Sequence, residues 1–215
     1  DGPHGQSFAA EQAFIPLKVD LEALATPEGL ELSDVKEEIV SFTFADGTTR
    51  DIRKRTFHFF SQRFLDEDWY HDAYLFEPVD LDPDDHDKAI LLSHVYNNKI
   101  FDDMLDRYGL RTAAVVGVPM LIFKPNPVNK EFFKNHPEIR RSESQWQEFT
   151  FQKFRETGDI NVTSFAVIMK AKWRAIAAME AVLGRKLEKL IYCGGSKGGA
   201  SVRAMFKEDP RIVSV

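Results

Sequence analysis

Cysteine and long apolar runs are scarce in this 215-residue sequence, and its 28 lysines and arginines are outnumbered by 34 acidic residues. The single cysteine, Cys193, excludes an internal disulfide framework. No uncharged apolar run approaches the ~20 residues that span a bilayer, so the sequence predicts no membrane span. The net charge is -6 and no basic stripe is present, which argues against nucleic acid as a partner. The histidines lack metal-ligand spacing, and we expect neither a metal nor a cofactor.

Apolar residues make up 43% of the sequence, which is enough for one globular domain. Residues 1–37 mix short apolar pieces with turn signals, and we interpret them as an N-terminal extension. Residues 38–215 are the predicted main domain, with a polar and aromatic insertion at about 129–162. The chain opens with Asp1-Gly2-Pro3 and no initiator methionine, which is typical of a processed or trimmed N-terminus.

The first part of the main domain has the two-residue period of half-buried strands. Apolar residues alternate with polar ones over 40–44, and Asp46-Gly47 then favours a tight hairpin. A second alternating stretch lies within 69–78, whereas 52–60 is interpreted as mixed turn and strand. We expect the two alternating stretches to form an antiparallel part at one side of the sheet.

Beyond residue 88, consecutive apolar runs alternate with helical patterns, which predicts a parallel α/β sheet with helices on both faces. The predicted parallel strands are 89–93, 113–123, 188–193 and 211–215. The predicted helices are 99–108, a stretch within 146–154, 163–184 and 200–207. Gly109 is expected to end the first of these helices, and Thr163 and Gly184 to cap the third.

The motif that points to chemistry is Gly194-Gly195-Ser196-Lys197-Gly198, which has the G-x-S-x-G spacing. It lies directly between a predicted buried strand and a predicted helix. On so sharp a turn the strand and the helix approach closely, and glycines fit because they lack a Cβ atom. The Ser196 hydroxyl would project above the carboxyl end of the sheet as a nucleophile. The Lys197 backbone N–H, at the start of the helix, would stabilise an oxyanion.

Two other interpretations of this turn stay open. One is a glycine-rich phosphate cradle, although neither G-x-x-x-x-G-K-[ST] nor G-x-G-x-x-G is present. The other is a structural turn in which Ser196 only caps the helix, since serine is a favoured cap residue.

The partners of Ser196 are not evident in the chain. In an α/β-hydrolase an acid and then a histidine follow the nucleophile, but no histidine follows Ser196 here. Glu208 and Asp209 are interpreted as solvated charges at the helix end. We therefore expect the acid and the histidine to lie beyond Val215. The chain would then be an N-terminal portion, truncated after the helix of the turn and the following strand and inactive alone.

Residues 93–98 offer a local substitute, because they follow the first parallel strand at the same end of the sheet as Ser196. A second oxyanion donor commonly lies in such a loop, and the candidates for it are the loop backbone and the Asn97 side chain. His94 is a candidate base, although it would require an unusual triad.

These motifs together resemble the PhoPQ-activated pathogenicity-related protein family. The Thr157-Gly158-Asp159 and Gly195-Ser196-Lys197 elements are the most specific parts of the resemblance. It covers roughly residues 60–215, through the stretches at 69–78, 113–127, 154–159, 175–182, 194–197 and 209–213.

The resemblance implies an α/β-hydrolase fold, mostly parallel, and export to the periplasm or out of the cell. The function expected from it is an exported serine hydrolase that acts on an ester or an amide of unknown identity. The alternative is a secreted signalling or virulence protein that keeps the fold and binds a partner without catalysis. The remainder of the same protein beyond residue 215 is the further partner that we expect.

Overall fold

The computed structural model describes residues 14–93, 104–125, 143–195 and 197–215, with Glu143, Ser144 and Lys197 described by their backbone alone. These residues form one seven-stranded sheet and five α-helices. The strands are β1 (Ser33–Thr43), β2 (Thr49–Phe64), β3 (Glu67–Pro78), β4 (Lys88–Ser93), β5 (Met120–Phe123), β6 (Lys189–Gly194) and β7 (Ile212–Ser214). The helices are α1 (Leu21–Ala25), α2 (Arg111–Val116), α3 (Glu143–Thr157), α4 (Ser164–Leu183) and α5 (Lys197–Glu208). Short 3-10 turns occupy Pro83–Asp85 and Ile160–Val162, and a π-helical turn occupies Leu105–Leu110.

The strands are ordered β1-β2-β3-β5-β4-β6-β7 across the sheet. β5, β4, β6 and β7 run parallel to one another, as the consecutive apolar runs predict. β1, β2 and β3 form an antiparallel part at one side, and β3 joins it to β5. The last residues of β4, β5 and β6 are Ser93, Phe123 and Gly194, and Ser93 pairs with both of the others. These three residues mark one edge of the sheet, here called the carboxyl edge.

Helices cover both faces of the sheet, because the strand residues alternate between two apolar cores. Leu91 and Leu121 face the core that packs against α4 and α5. Their neighbours Ile90 and Ile122 face the other core, which packs against α2. Full burial of each such side chain contributes about 2 kcal/mol to folding. A parallel set of strands covered on both faces, with a glycine-rich turn after β6, forms the predicted α/β-hydrolase-like fold.

The antiparallel part is larger than predicted, because 52–60 belongs to the continuous 16-residue strand β2. Three consecutive basic residues, Arg53 to Arg55, interrupt its apolar pattern, and carboxylates of β1 hold their side chains. The predicted hairpin between β1 and β2 is confirmed. Its turn contains Gly47 at φ +87°, and Asp46 Oδ1 accepts a hydrogen bond from the Thr48 amide at 2.9 Å.

Two predictions between β4 and β5 were wrong. Gly109 does not end a helix, and residues 113–116 are helical, so the strand begins only at β5. The helix ends instead at Gly117, which has φ +81°. Gly109 serves close packing, since a Cβ atom there would lie 2.3 Å from the Phe76 ring. Ala113 and Ala114 are buried against the sheet from α2, so their apolar run reflects a helix face rather than a strand.

The helices predicted later in the chain are confirmed as α3, α4 and α5. Thr163 caps α4, with its Oγ1 accepting from the Ala166 amide at 3.3 Å, and Gly184 ends it at φ +68°. β1 begins at Ser33, inside the stretch interpreted as an extension, and the division at residue 37 stays a prediction. Part of the predicted insertion, 129–142, lies outside the described residues. Across the described ranges, no helix combines the length and the apolarity needed to cross a membrane.

Candidate active site

The glycine-rich turn lies between β6 and α5, at the carboxyl edge of the sheet. β6 ends at Gly194 and α5 begins at Lys197, so the predicted sequence of strand, turn and helix is present. The Gly199 amide donates a 3.4 Å hydrogen bond to the Gly195 carbonyl, which bends the chain directly into the helix. Ser196 itself lies outside the described residues. The structure thus describes both sides of the predicted nucleophile.

Backbone contact across the turn explains two of its glycines. A Cβ atom on Gly194 would lie 2.8 Å from the Gly198 carbonyl carbon, and one on Gly199 would lie 2.8 Å from the Gly194 oxygen. Real Cβ atoms do not approach backbone atoms so closely, so the end of β6 and the first turn of α5 require glycine here. Gly195 differs, because it is exposed and a Cβ atom there would meet nothing within 4 Å.

The amino end of α5 is suited to stabilise a negative charge. The helix has 12 residues, and its first backbone amides have no earlier turn to bond with. Their partial positive charge, with the helix dipole, favours an anion at this end. The Lys197 amide, predicted to bind an oxyanion, is the first amide of this helix. The Lys197 side chain lies outside the described residues.

The predicted local partners of Ser196 lie outside the described residues. These are His94 and Asn97, which follow β4 in the sequence. Ser93, the last residue of β4, pairs with Gly194 beside the turn. Both assignments therefore stay predictions.

A buried lysine next to the turn was missed by the sequence analysis. Lys172 of α4 is 0% exposed, and its Nζ donates to the Gly198 carbonyl at 2.6 Å and to Ser201 Oγ at 2.7 Å. Nζ also lies 5.4 Å from the centre of the Tyr192 ring. Burial lowers the pKa of this lysine from 10.5 to about 7. The available signal was its position four residues after Ile168, on the predicted apolar stripe of the helix.

Two buried hydroxyls, those of Ser93 and Tyr192, belong to the ends of β4 and β6. Neither side chain has exposed surface, and the Ser93 hydroxyl interacts with that of Tyr192. Burial raises the pKa of Tyr192 well above its ordinary value. The ends of β4 and β6 thus place a small polar cluster in the interior beside α5.

A second polar pair, Ser61 and His71, connects β2, β3 and β5. The His71 Nδ1 donates to the Lys124 carbonyl at 2.8 Å, so its Nε2 accepts from Ser61 Oγ, also at 2.8 Å. Burial lowers the pKa of His71 to about 4, which keeps the ring neutral. Both side chains are about 5% exposed or less, so this pair stabilises the sheet and is not accessible to a substrate. The bulge of β2 after Phe60 brings Ser61 to this position.

The other two described histidines lie away from the turn. His58, on β2, contacts Asp72 of β3 at 2.7 Å, and His86 precedes β4 at the opposite end of that strand. Within the described ranges, no group of three or more His, Cys, Asp or Glu side chains could hold a metal ion.

The two acidic residues at the end of α5 differ, since one side chain is solvated and the other is buried. Glu208 is exposed as predicted, but the prediction of a solvated charge was wrong for Asp209, which is 2% exposed. Its carboxylate pairs with Arg211 at 2.7 Å and accepts from the Arg211 amide at 3.1 Å. Asp209 therefore fixes the chain between α5 and β7.

An open cavity of about 620 Å³ adjoins the turn on the side of β7. Both ends of the turn contribute to its wall through Gly194 and Gly199, and Arg203 of α5 brings a cation. The remaining lining residues are Tyr192, Ala200, Val202 and Val215. The carboxyl edge is therefore open beside the candidate site.

Comparison with known proteins gave two similar solved structures. No family model matches the sequence, and no curated protein matches it. An acetyl xylan esterase from Paenibacillus sp. R4 is 15% identical, with a TM-score of 0.48 over 89% of this chain and 54% of that one. A CE15 glucuronoyl esterase from Teredinibacter turnerae T7901 is 11% identical, with a TM-score of 0.45 over 89% of this chain and 49% of that one. The chain thus spans about half the length of each of these two proteins.

Proposed function

We propose that the protein is a serine hydrolase that acts on an ester or an amide, with Ser196 as its nucleophile. The observation that supports this most is the backbone contact of Gly194 with Gly198 and Gly199 at the carboxyl edge of the sheet. Such contact makes the turn sharp, and a sharp turn between strand and helix is the setting in which a G-x-S-x-G serine becomes exposed.

The proposed mechanism begins with attack of the Ser196 oxygen on the substrate carbonyl. A base removes the serine proton, because an unassisted hydroxyl is a poor nucleophile at neutral pH. The Lys197 amide and the dipole of α5 stabilise the oxyanion, and Asn97 is proposed as a second donor. The intermediate then collapses to the acyl-enzyme as the bond to the alcohol or amine breaks, and this leaving group takes the proton from the base. Water, deprotonated by the same base, attacks the acyl-enzyme, and Ser196 leaves with the proton as the acid product is released. The base is proposed to be a histidine outside this chain, with His94 as the internal alternative.

The cap and phosphate interpretations explain less of the turn. A serine that only caps a helix needs no glycine before and after it, because the cap hydrogen bond forms within one turn. A phosphate cradle uses several amides around one anion, and its motifs are absent from this sequence. The interpretation of Ser196 as a nucleophile accounts for both the serine and the glycines around it.

Family and location are proposed from the sequence resemblance alone. Membership of the PhoPQ-activated pathogenicity-related family and export from the cytoplasm remain predictions. The same resemblance is the basis of the alternative function, a secreted signalling or virulence protein without catalysis.

Ester hydrolysis tests the proposal in the protein expressed from its complete coding region. We expect hydrolysis of p-nitrophenyl acetate or butyrate, and we expect Ser196→Ala to lower kcat at least about 1,000-fold. Ser214→Ala, which removes an exposed hydroxyl from β7, is the matched control and should keep kcat within about twofold. Equal kcat in Ser196→Ala and wild type would refute the nucleophile. Folded protein with no activity on any ester or amide would favour the non-catalytic alternative.

A further inference from the structure

Lys172 is a cation in the apolar interior of the molecule. It is 0% exposed in the middle of α4, and among the described residues its ammonium has no carboxylate partner. The buried carboxylates have cationic partners, as with Glu180 and Arg211 at 3.2 Å, whereas the buried Arg174 of the same helix donates to backbone carbonyls of Thr26 and Glu28. Transferring an unpaired charge from water into the interior costs several kcal/mol. A methionine of similar length would avoid that cost, so stability alone does not explain a lysine here.

The Lys172 ammonium has two hydrogen-bond acceptors, and both belong to the first turns of α5. These are the Gly198 carbonyl at 2.6 Å and Ser201 Oγ at 2.7 Å, and Nζ also lies over the Tyr192 ring, 5.4 Å from its centre. The Ser201 hydroxyl donates in turn to the Gly198 carbonyl at 2.9 Å. The lysine therefore connects α4 to the second residue of α5.

A positive charge at the amino end of a helix is unfavourable for the helix itself. The same charge is favourable for an anion that forms at that end. Gly198 directly follows Lys197, whose amide is the proposed oxyanion donor, and a Cβ atom at Gly198 would lie 3.9 Å from Nζ. The ammonium thus binds the residue that follows Lys197, whose amide would stabilise the oxyanion.

We infer that Lys172 is a positioning residue of the candidate site. Its ammonium holds the first turn of α5 against the end of β6 and adds a positive charge next to the oxyanion donors. This role rests on the proposed function, since it concerns the charge that forms when Ser196 attacks. The residue acts through Gly198 and the helix and does not contact the substrate.

Few other groups can titrate near Lys172. Gly198 and Ser201 face it from α5 and do not titrate, and the Ser93 carbonyl of β4, which also lies close to Gly198, does not titrate either. Tyr192 of β6 is the titratable neighbour, and burial keeps its pKa well above the ordinary range. The proposed histidine base would also titrate near pH 7, so the difference between the pH profiles of wild type and Lys172→Met reports the lysine.

The test measures the second-order rate of fluorophosphonate labelling from pH 5.5 to 9 in the protein from its complete coding region. In wild type we expect the rate to fall above pH 7 as Lys172 loses its proton. Lys172→Met should lower the rate at least about tenfold at pH 6.5 and abolish the alkaline fall. Lys170→Met removes a partly buried cation from the same helix and should keep both the labelling rate and its pH profile. If the methionine variant does not fold, Lys172→Gln, which keeps a donor without charge, is expected to give the same loss.

Hydrogen exchange of the amides at 198–202 is measured on the same variants, and faster exchange confined to this turn in Lys172→Met is expected. A labelled wild type with an unchanged Lys172→Met rate and profile would overturn the inference and leave the proposed function intact. An unlabelled wild type would refute the proposed function. Hydrogen exchange at 198–202 would then show whether Lys172 positions the first turn of α5. Unchanged exchange at 198–202 would overturn that role as well.

Discussion

Two buried residues, His71 and Lys172, lose basicity when the chain folds, and both should make stability depend on pH. Burial lowers the pKa of His71 from 6.5 to about 4 and that of Lys172 from 10.5 to about 7. In each case the unfolded chain binds a proton that the folded chain does not bind between the two values. Stability therefore rises with pH inside each window and falls as the pH is lowered through it.

For His71 the window lies between pH 6.5 and 4. We expect wild type to lose up to about 3 kcal/mol of unfolding free energy across it, and His71→Gln to lose much less. Urea denaturation at pH 7, 5.5 and 4.5 measures this difference. His58→Gln, which replaces a half-exposed histidine on the neighbouring strand, is the control. Its unfolding free energy should depend on pH as that of wild type does. If the unfolding free energies of wild type and His71→Gln changed equally with pH, this would contradict the neutral, buried state of the His71 ring.

For Lys172 the window lies between pH 7 and 10.5. We expect the difference in unfolding free energy between wild type and Lys172→Met to change by up to about 1.4 kcal/mol per pH unit, in favour of wild type as the pH rises. Denaturation at pH 7.5, 8.5 and 9.5 tests this, with Lys207→Met as an exposed control on α5. If the difference in unfolding free energy between wild type and Lys172→Met stayed constant over these pH values, this would show that the lysine is not desolvated.

At the scale of the element, the turn between β6 and α5 offers a matched pair of glycines. Neither Gly194 nor Gly195 has a positive φ, so alanine strains neither backbone, but only Gly194 lacks space for a Cβ atom. We expect Gly194→Ala to lower the free energy of unfolding by about 2 kcal/mol and Gly195→Ala to change it by less than about 0.5 kcal/mol. The midpoints of urea denaturation measure both effects. Equal stability of the two variants would mean that strand and helix do not make the described contact.

The elements also show where sequence patterns determine structure and where packing overrides them. Thr163 and Gly184 predict the ends of α4 correctly, because both act through local hydrogen bonds and backbone angles. Gly109 misleads, since its small size serves the contact with Phe76 on a strand far away in the sequence. Asp209 misleads for another reason, because the nearby Arg211 neutralises it and allows its burial. A local pattern shows neither a packing partner far away in the sequence nor which charged residues become buried.

For the whole molecule, the order of apolar runs predicted the parallel strands, except that residues 113–116 form the helix α2 and not the start of β5. Buried parallel strands require side chains that are apolar on consecutive positions, and this leaves a clear signal in the sequence. The candidate site was predicted only where its residues are contiguous, from Gly194 to Gly198. Lys172 was missed because 26 residues separate it from Gly198, and only the packing of α4 against α5 brings them together.

Covalent labelling of Ser196 tests the proposed nucleophile most directly. The protein from its complete coding region is treated with a fluorophosphonate, digested and analysed by mass spectrometry, with Ser196→Ala and the 215-residue chain alone in parallel. We expect a single adduct on Ser196, none in Ser196→Ala, and none in the isolated chain if the base lies outside it. An adduct on Ser196 in the isolated chain would place the base within these residues and direct attention to His94. Folded wild-type protein with no adduct on Ser196 would contradict the assignment of this turn as the site of catalysis.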